Sequence, residues 1–264
     1  MRSEQSLDEA RIRAALDAGA RSVLGELQVL ASVDSTNAEL MRRPGSPGRA
    51  QVCLAEQQTA GRGRRGRPWE SPPGSNLYLS VAWPFEGGAE AMAGLSLAIG
   101  VALCDALESL GVGGLALKWP NDVLRGGGKL AGTLIELHGD ATGPCRGIIG
   151  TGVNVRMPAE AAGSIDQAWA DLADHDLCRS ELAAAFLSRL LPLLVDFAAA
   201  GFAPWRERWQ ARHVHAGASV RVLGSGPELA GTAAGVDERG ALLLQTATGV
   251  RAIHAGEVSL RAVS

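Results

Sequence analysis

The sequence has few cysteines, and none stand at the C-x-x-C spacing of a metal or redox motif: Cys53, Cys104, Cys145 and Cys178 are scattered singly along 264 residues. Such a pattern points to reduced thiols and a cytoplasmic protein. There is no apolar signal core at the start, where Arg2, Glu4, Asp8 and Glu9 are charged. The longest nearly uncharged stretch, 91–104, is too short to span a bilayer, so neither a membrane anchor nor a membrane partner is expected. An excess of positive charge is also missing. The formal net charge of −3 argues against a protein devoted to neutralising many phosphates, so any basic patch must be local. His138, His175, His213, His215 and His254 lack metal-ligand spacing, and no Ser/His/Asp order suggests a hydrolase. No protein-held metal is therefore expected.

What is present suffices for a large core. With 46% apolar and 20% charged residues, the chain fits one large domain, or one domain plus a small one. Ser6 and Glu9, at capping-box spacing, predict a helix over 7–18 stopped by Gly19. A helix-turn-helix module needs about three elements, for which the residues before Asp34 leave no room. Strand-like segments follow in "ELQVLASV", "QVCLAEQQ" and "NLYLSVAW", where Leu77, Leu79, Val81 and Trp83 share one face. One long helix is predicted over 89–110, with Gly111 as its stop. "LALKWPNDVLRGGGKLAGTLIEL" reads as three strands joined by turns at 119–122 and 126–128, and "RGIIGTGVNV" supplies another strand. Helices are predicted over 180–200, with a kink near Pro192, and over 204–212. Beyond Ala218, short strands separated by "GSGPE", "DERG" and "ATG" suit a small β-barrel. The fold class is α+β, with domains expected at 1–214 and 215–264.

The segment "GRGRRGR", 61–67, has the glycine spacing of a dinucleotide fingerprint. That fingerprint must lead into a helix whose N-terminus faces the pyrophosphate. Here Pro68, Pro72 and Pro73 block one. An arginine-glycine tract for RNA would recur, and this one occurs once between two strands. The connection over 59–75 is long for neighbouring strands, as binding loops and lids are. Its glycines let backbone N–H groups approach a ligand, and its arginines match phosphate or carboxylate. A loop that orders around a small anionic ligand is the reading that fits.

Other polar positions have both a bland and a chemical use. Asp34, Ser35, Thr36 and Asn37 are N-cap types at a strand-to-helix junction, and equally groups that read a polar ligand. Lys118 ends an apolar strand ahead of Trp119, Pro120, Asn121 and Asp122. There it is either solvated or a fixed cation beside reacting anions. Gly132, Gly150 and Gly152 inside strands signal tight packing or the close approach of a ligand.

Taken in order, "DSTN", "AEQQTAGRGRRGRPWESPPGSNLYLS", "LKWPNDVL", "KLAGTLIEL" and "GTGVNV" resemble the biotin protein ligase family over 34–155, with a weaker echo in "GALLL" and "GEVSLR". The resemblance implies a mixed-sheet catalytic domain like that of class II aminoacyl-tRNA synthetases and biotin-lipoate ligases, followed by an SH3-like barrel. Some members carry an N-terminal DNA-binding domain and act as repressors; the short N-terminus here is similar to members without one, so no DNA partner is expected. The implied reaction has two steps: biotin and ATP give biotinyl-5′-AMP and pyrophosphate, then the acyl group passes to a lysine of the biotin carboxyl carrier protein of acetyl-CoA carboxylase. ATP with Mg²⁺ and biotin are the implied co-substrate and substrate, with no tightly bound prosthetic group. A homodimer is a further expectation from the family.

Carried over by motif, Ser35, Thr36, Asn37 and Gln58 look like biotin contacts, and Arg62, Gly63 and Arg64 like the loop closing over biotin and adenylate. By the resemblance, Lys118 matches the lysine placed near the biotin carboxylate and the α-phosphate, and with Arg64 is the expected catalytic pair. Arg65, Trp69, Asn121, Lys129, Asn154 and Arg261 join Arg62 and Arg64 as expected nucleotide contacts. Two stretches depart from the family: the turn "RGGGK" is all glycine where members often have polar residues, and 157–179 matches no motif. A lipoate or octanoate ligase is the nearest enzyme alternative, against which the "GRGRRGR" and "KWPND" pair counts. A nucleic-acid-binding module using the arginine loop is the alternative from another class.

Overall fold

The computed structural model describes residues 6–163, 165–224, 228–255 and 259–262. The chain opens with two short helices, α1 (Glu9–Ala15) and α2 (Ala18–Val23). The expected single helix over 7–18 is corrected by two aspartates. Asp8, rather than Ser6, accepts from the Arg11 N–H and starts α1, while Asp17 accepts from the Ala20 N–H and starts a second helix across Gly19.

Seven strands then make one sheet, with α3 (Thr36–Arg42) between the first two. They are β1 (Leu24–Leu30), β2 (Ala50–Ala55), β3 (Leu77–Phe85), β4 (Leu115–Lys118), β5 (Asp122–Arg125), β6 (Gly128–Gly139) and β7 (Cys145–Val153), in the spatial order β1-β2-β3-β7-β6-β5-β4. Only β1 and β2 run parallel within this sheet; the other pairs are antiparallel.

The remaining helices are α4 (Leu95–Ser109), the single turn α5 (Ala159–Ala162), α6 (Arg179–Ala200) and α7 (Arg206–Gln210). Both α4 and α6 cover one face of the sheet, and α6 runs through Pro192 without interruption. The expected helix over 89–110 is shorter than predicted. A 3₁₀ turn, Gly88–Met92, precedes it, and Gly94 at φ 79° breaks the path. A Cβ on Gly94 would lie 2.6 Å from that of Phe202, so glycine is required both by conformation and by the close approach of the chain after α6. By length and composition, 88–109 and 179–200 could each cross a membrane, but more than half of each is buried inside the fold, as core helices are.

Pleating divides the sheet's side chains between two uses. Leu77, Leu79, Val81, Trp83 and Phe85 of β3 join the main core under the helices, as their spacing predicts. Tyr78 and Ser80 alternate with them and face the other way. Across the ladder Tyr78 stands opposite Gly152, which stands opposite Gly132; Ser80 stands opposite Gly150, which stands opposite Leu134. This second face is partly covered by α3, with Leu40 packed on Cys53, Ala82 and Ile148. The rest of it, poor in bulky side chains, floors a cavity.

The C-terminal strands β8 (Ser219–Leu223), β9 (Leu229–Val236), β10 (Leu242–Thr246), β11 (Gly249–Ile253) and β12 (Ser259–Ala262) form an antiparallel sheet ordered β11-β10-β9-β8-β12, consistent with an SH3-like barrel. Residues 225–227 of "GSGPE" and 256–258 of "GEVSLR" lie outside the described residues. This unit is tied to the larger sheet by the Trp119 Nε1–H, which donates to the Gly240 carbonyl at 3.1 Å, and by Arg206 Nε, which donates to the Val236 carbonyl at 2.8 Å. These ties bring Arg261 of β12 to the cavity rim.

Candidate active site

The cavity measures about 370 Å³ and lies between the open face of the sheet, the 59–75 connection and the end of β12. Every residue expected to contact biotin or the nucleotide lines it: Ser35, Thr36, Asn37, Gln58, Arg62, Gly63, Arg64, Arg65, Trp69, Lys118, Asn121, Lys129, Asn154 and Arg261; Asp34, beside them in sequence, instead pairs with Arg42.

At one end, residues of "DSTN" take part in a hydrogen-bonded relay. Ser35 occupies the N-cap position of α3 yet makes no side-chain cap bond, which leaves its hydroxyl to the cavity. The orphan N–H of Thr36 is met from outside the helix by Gln58 Oε1 at 3.0 Å, which also accepts from Thr36 Oγ1 at 3.1 Å. Gln58 Nε2 donates to Ser71 Oγ, and that hydroxyl donates to the Trp69 carbonyl. Ser80 Oγ is fully buried, 2.7 Å from Thr36 Oγ1 and 2.6 Å from Asn37 Oδ1. Ser35, Thr36 and Asn37 are all buried polar groups with fixed surroundings, the condition for reading a small polar ligand.

The strand glycines make room for side chains. A Cβ on Gly150 would lie 2.4 Å from Asn37 Oδ1, and one on Gly152 would lie 2.4 Å from the Trp69 indole. Neither position tolerates a side chain while Asn37 and Trp69 stay where they are. Lys129 Nζ sits 5.3 Å from the centroid of the Trp69 ring and 2.8 Å from Asp122 Oδ1. The all-glycine turn before it, with Gly126 and Gly127 at positive φ, reverses the chain tightly enough to seat Lys129 in that pair. Asn154 Nδ2 donates to the carbonyls of Lys129 and Ala170.

Across the cavity the arginine segment folds back on itself. Gly63 N–H donates to the Arg67 carbonyl at 2.8 Å and Trp69 N–H to the Gly61 carbonyl at 2.9 Å, around a three-residue 3₁₀ turn, Arg64–Gly66. No helix follows Gly66, so the dinucleotide-fingerprint geometry is absent among the described residues. Arg64 Nη1 donates to Asn121 Oδ1 at 3.2 Å, and Asn121 Nδ2 donates to the Thr133 carbonyl. Together with Arg62, Arg65, Arg67, Lys118, Lys129 and Arg261, it faces only Glu70, Asp122 and Asp166 as cavity carboxylates. A protein of net charge −3 thus concentrates cations at one anion-sized site.

Lys118 ends β4 half-buried. Burial pulls its ammonium below the usual lysine range, Asp122 opposes that pull, and Arg261 and Lys129 add to it. Behind β4, burial holds the pKa of His213, its ring tilted against Trp209 with centroids 4.5 Å apart, down to about 4, and lowers that of His215 as well. No group of three or more His, Cys, Asp or Glu among the described residues could hold a metal.

Sequence reasoning missed some of the lining. Tyr78 was recoverable, because the alternation that sends Leu77 and Leu79 to the core sends it to the opposite face; Ser80, on the same face, lies behind the lining against Thr36 and Asn37. Ile165, Asp166, Gln167 and Trp169 line the cavity from the stretch that matches no motif. They are held there because Lys129 N–H donates to the Ala168 carbonyl and Ala170 N–H to the Lys129 carbonyl. Those bonds are backbone to backbone and leave no signature in residue type.

Residues 29–154 match the biotin/lipoate A/B protein ligase family, and 215–261 match the biotin protein ligase C-terminal domain. The chain is 39% identical to the bifunctional ligase/repressor BirA of Escherichia coli over 92% of its own length and 78% of the relative's. It is 40% identical to the biotin–[acetyl-CoA-carboxylase] ligase of Paracoccus denitrificans over 87% of its length and 98% of the relative's. Among solved structures, a biotin protein ligase from Aquifex aeolicus in complex with biotin and ATP superposes with a TM-score of 0.78 at 31% identity, covering 91% of this chain and all of the other.

Proposed function

The chain belongs to the biotin protein ligase family, and from that premise we propose how its cavity joins biotin to ATP and hands the product to an acceptor lysine. One observation carries the reading: residues from Ser35 to Arg261, far apart in sequence, line a single cation-rich cavity with a buried polar relay at one end. The protein is a biotin protein ligase. Ser35, Thr36, Asn37 and Gln58 would hold the polar ring of biotin. Arg62, Arg64 and Lys118 would flank its carboxylate, and Arg65, Trp69, Asn121, Lys129, Asn154 and Arg261 the nucleotide. Residues 1–214 and 215–264 would be the catalytic and barrel units, a division supported by the two separate family matches.

In the first step a biotin carboxylate oxygen attacks the α-phosphorus of ATP, and the bond to the β-phosphate oxygen breaks to release pyrophosphate. The approach sets one anion against another: unit charges about 4 Å apart repel by roughly 4 kcal/mol at an effective dielectric near 20. Lys118 and the loop arginines offset this repulsion and stabilise charge building on the phosphoryl oxygens. No general base is needed, because the carboxylate is already ionised at neutral pH.

Asp122 is paired with Lys129, and no cluster of three or more His, Cys, Asp or Glu among the described residues could hold a metal, which suits a Mg²⁺ that would arrive on the phosphates rather than be held by the protein. Bound there, Mg²⁺ would neutralise phosphate charge. In the second step an acceptor lysine amine attacks the acyl carbon, AMP leaves with the bonding electrons, and the amine loses its proton. Until then the arginine segment keeps water from the mixed anhydride.

We propose the biotin carboxyl carrier protein of acetyl-CoA carboxylase as acceptor, supported by the named activity of the Paracoccus relative, and a homodimer as the assembly. The scattered cysteines, none at C-x-x-C spacing, suit a reducing cytoplasm. The test is the intact mass of an acceptor domain after incubation with MgATP and either biotin or lipoate. One biotinyl group, gained only with biotin and ATP, is expected; lipoylation instead, or no modification by folded enzyme, would remove the proposal.

Two variants probe the two ends. Gly150→Ala must displace Asn37, and overpacking of this kind costs about 1–3 kcal/mol, so KM for biotin is expected to rise roughly 5- to 150-fold with KM for ATP little changed. Trp169→Ala removes an aromatic wall beside Lys129 and Asn154. It is expected to raise KM for ATP about tenfold, the loss of a stacked base, and to spare KM for biotin; steady-state kinetics in each substrate distinguishes the two.

A further inference from the structure

Glu136 has no role in the reaction as derived. It lies on β6 opposite Ile148 of β7, in the same alternation as Gly132 and Leu134, and its side chain is 26% exposed. It does not line the cavity. Two groups that do line it converge on its carboxylate: Asn37 Nδ2 donates to Oε2 at 2.7 Å, and Arg62 Nη2 lies 3.2 Å from Oε1 and 3.4 Å from Oε2. Asn37 belongs to the polar relay on α3, and Arg62 is the first arginine of the loop.

A carboxylate only accepts, which fixes the Asn37 amide. Nδ2 must face Glu136, and Oδ1 must face the Ser80 hydroxyl; the flipped amide would set Oδ1 against a carboxylate and leave Ser80 facing a donor. We infer that Glu136 is a positioning residue that couples the biotin-reading end of the cavity to the loop that closes it. One carboxylate holds the Asn37 amide in a single orientation and anchors Arg62 across the mouth. This rests on the biotin ligase reading of the cavity. The two functions are separable: Gln keeps an acceptor for Asn37 but loses the charge that holds Arg62, and Ala loses both.

The experiment compares wild type, E136Q, E136A, R62A and the E136Q/R62A double variant. It measures the release rate of biotinyl-5′-AMP formed in the enzyme from biotin and MgATP, and KM for biotin against kcat in acceptor labelling. An exposed ion pair contributes modestly, so E136Q is expected to release the adenylate about two- to fivefold faster with KM for biotin unchanged, and the difference should shrink at about 1 M salt. E136A adds a rise of about tenfold in KM for biotin, because Asn37 is no longer oriented. In the R62A background, E136Q is expected to change release no further.

A residue that merely supported the strand would show the same E136Q effect with or without Arg62, and that result overturns the inference, as does release at the wild-type rate. Should E136A fail to fold, the E136Q cycle decides alone. Wild type forming no biotinyl-5′-AMP would remove the ligase reading itself, whereas wild type retaining it while E136Q behaves identically removes only the role of Glu136.

Discussion

Lys118→Ala is expected to slow formation of biotinyl-5′-AMP by about 10²- to 10³-fold, the loss that follows removal of one preorganised transition-state donor, while the Kd for biotin changes far less. The asymmetry comes from when the charge is needed. In the ground state several cations share the ligand's charge, whereas at the moment of attack the carboxylate and α-phosphate must come together beside the β4 end, where Lys118 is half-buried. Single-turnover adenylation and biotin titration separate the effects. If adenylation persists near the wild-type rate while only the biotin Kd rises, Lys118 is a binding residue.

The same position sets a pH dependence. Lys118 works as a cation, and burial lowers its pKa, so its charge is lost at lower pH than that of a free lysine. The alkaline limb of kcat/KM, which reports the free enzyme, is expected below the usual lysine range. Bound phosphates favour the charged form and push the limb of kcat back upward. A kcat/KM limb at or above that of free lysine would contradict the assignment.

Arg64→Gly has the other large expected effect, on retention of the intermediate. Arg64 reaches from the loop to Asn121, which is held by the Thr133 carbonyl of β6, so its loss unties the loop from the sheet at the nucleotide end. Adenylate synthesis is expected to remain detectable while biotinyl-5′-AMP escapes at least about tenfold faster, consistent with loss of a charged hydrogen bond worth about 1.5–3 kcal/mol. Free adenylate in the filtrate, and labelling of amines far from the normal acceptor, are the readouts. Equal retention by variant and wild type would remove this role.

Much of this was legible because the chemistry depends on residue types that also punctuate structure. The alternation in "NLYLSVAW" assigned β3's core face, and the glycines and prolines around "GRGRRGR" ruled out a helix after Gly66. "KWPND" marked both a strand end and a cation. What escaped depended on distant partners. The break at Gly94 is imposed by Phe202, more than one hundred residues later, and no helical periodicity carries that information. Trp169 enters the cavity through backbone pairing with β6, which any residue type could make. Glu136, one letter in an apolar strand, acquires meaning only when α3 and the loop converge on it.

The most direct test is to mix the protein with one equivalent each of biotin and MgATP, without acceptor, isolate the complex and chase it with an acceptor domain. The account predicts retained biotinyl-5′-AMP that labels one acceptor lysine without further ATP. Labelling that requires fresh ATP in the chase, or a protein that retains biotin with no AMP attached, would contradict it.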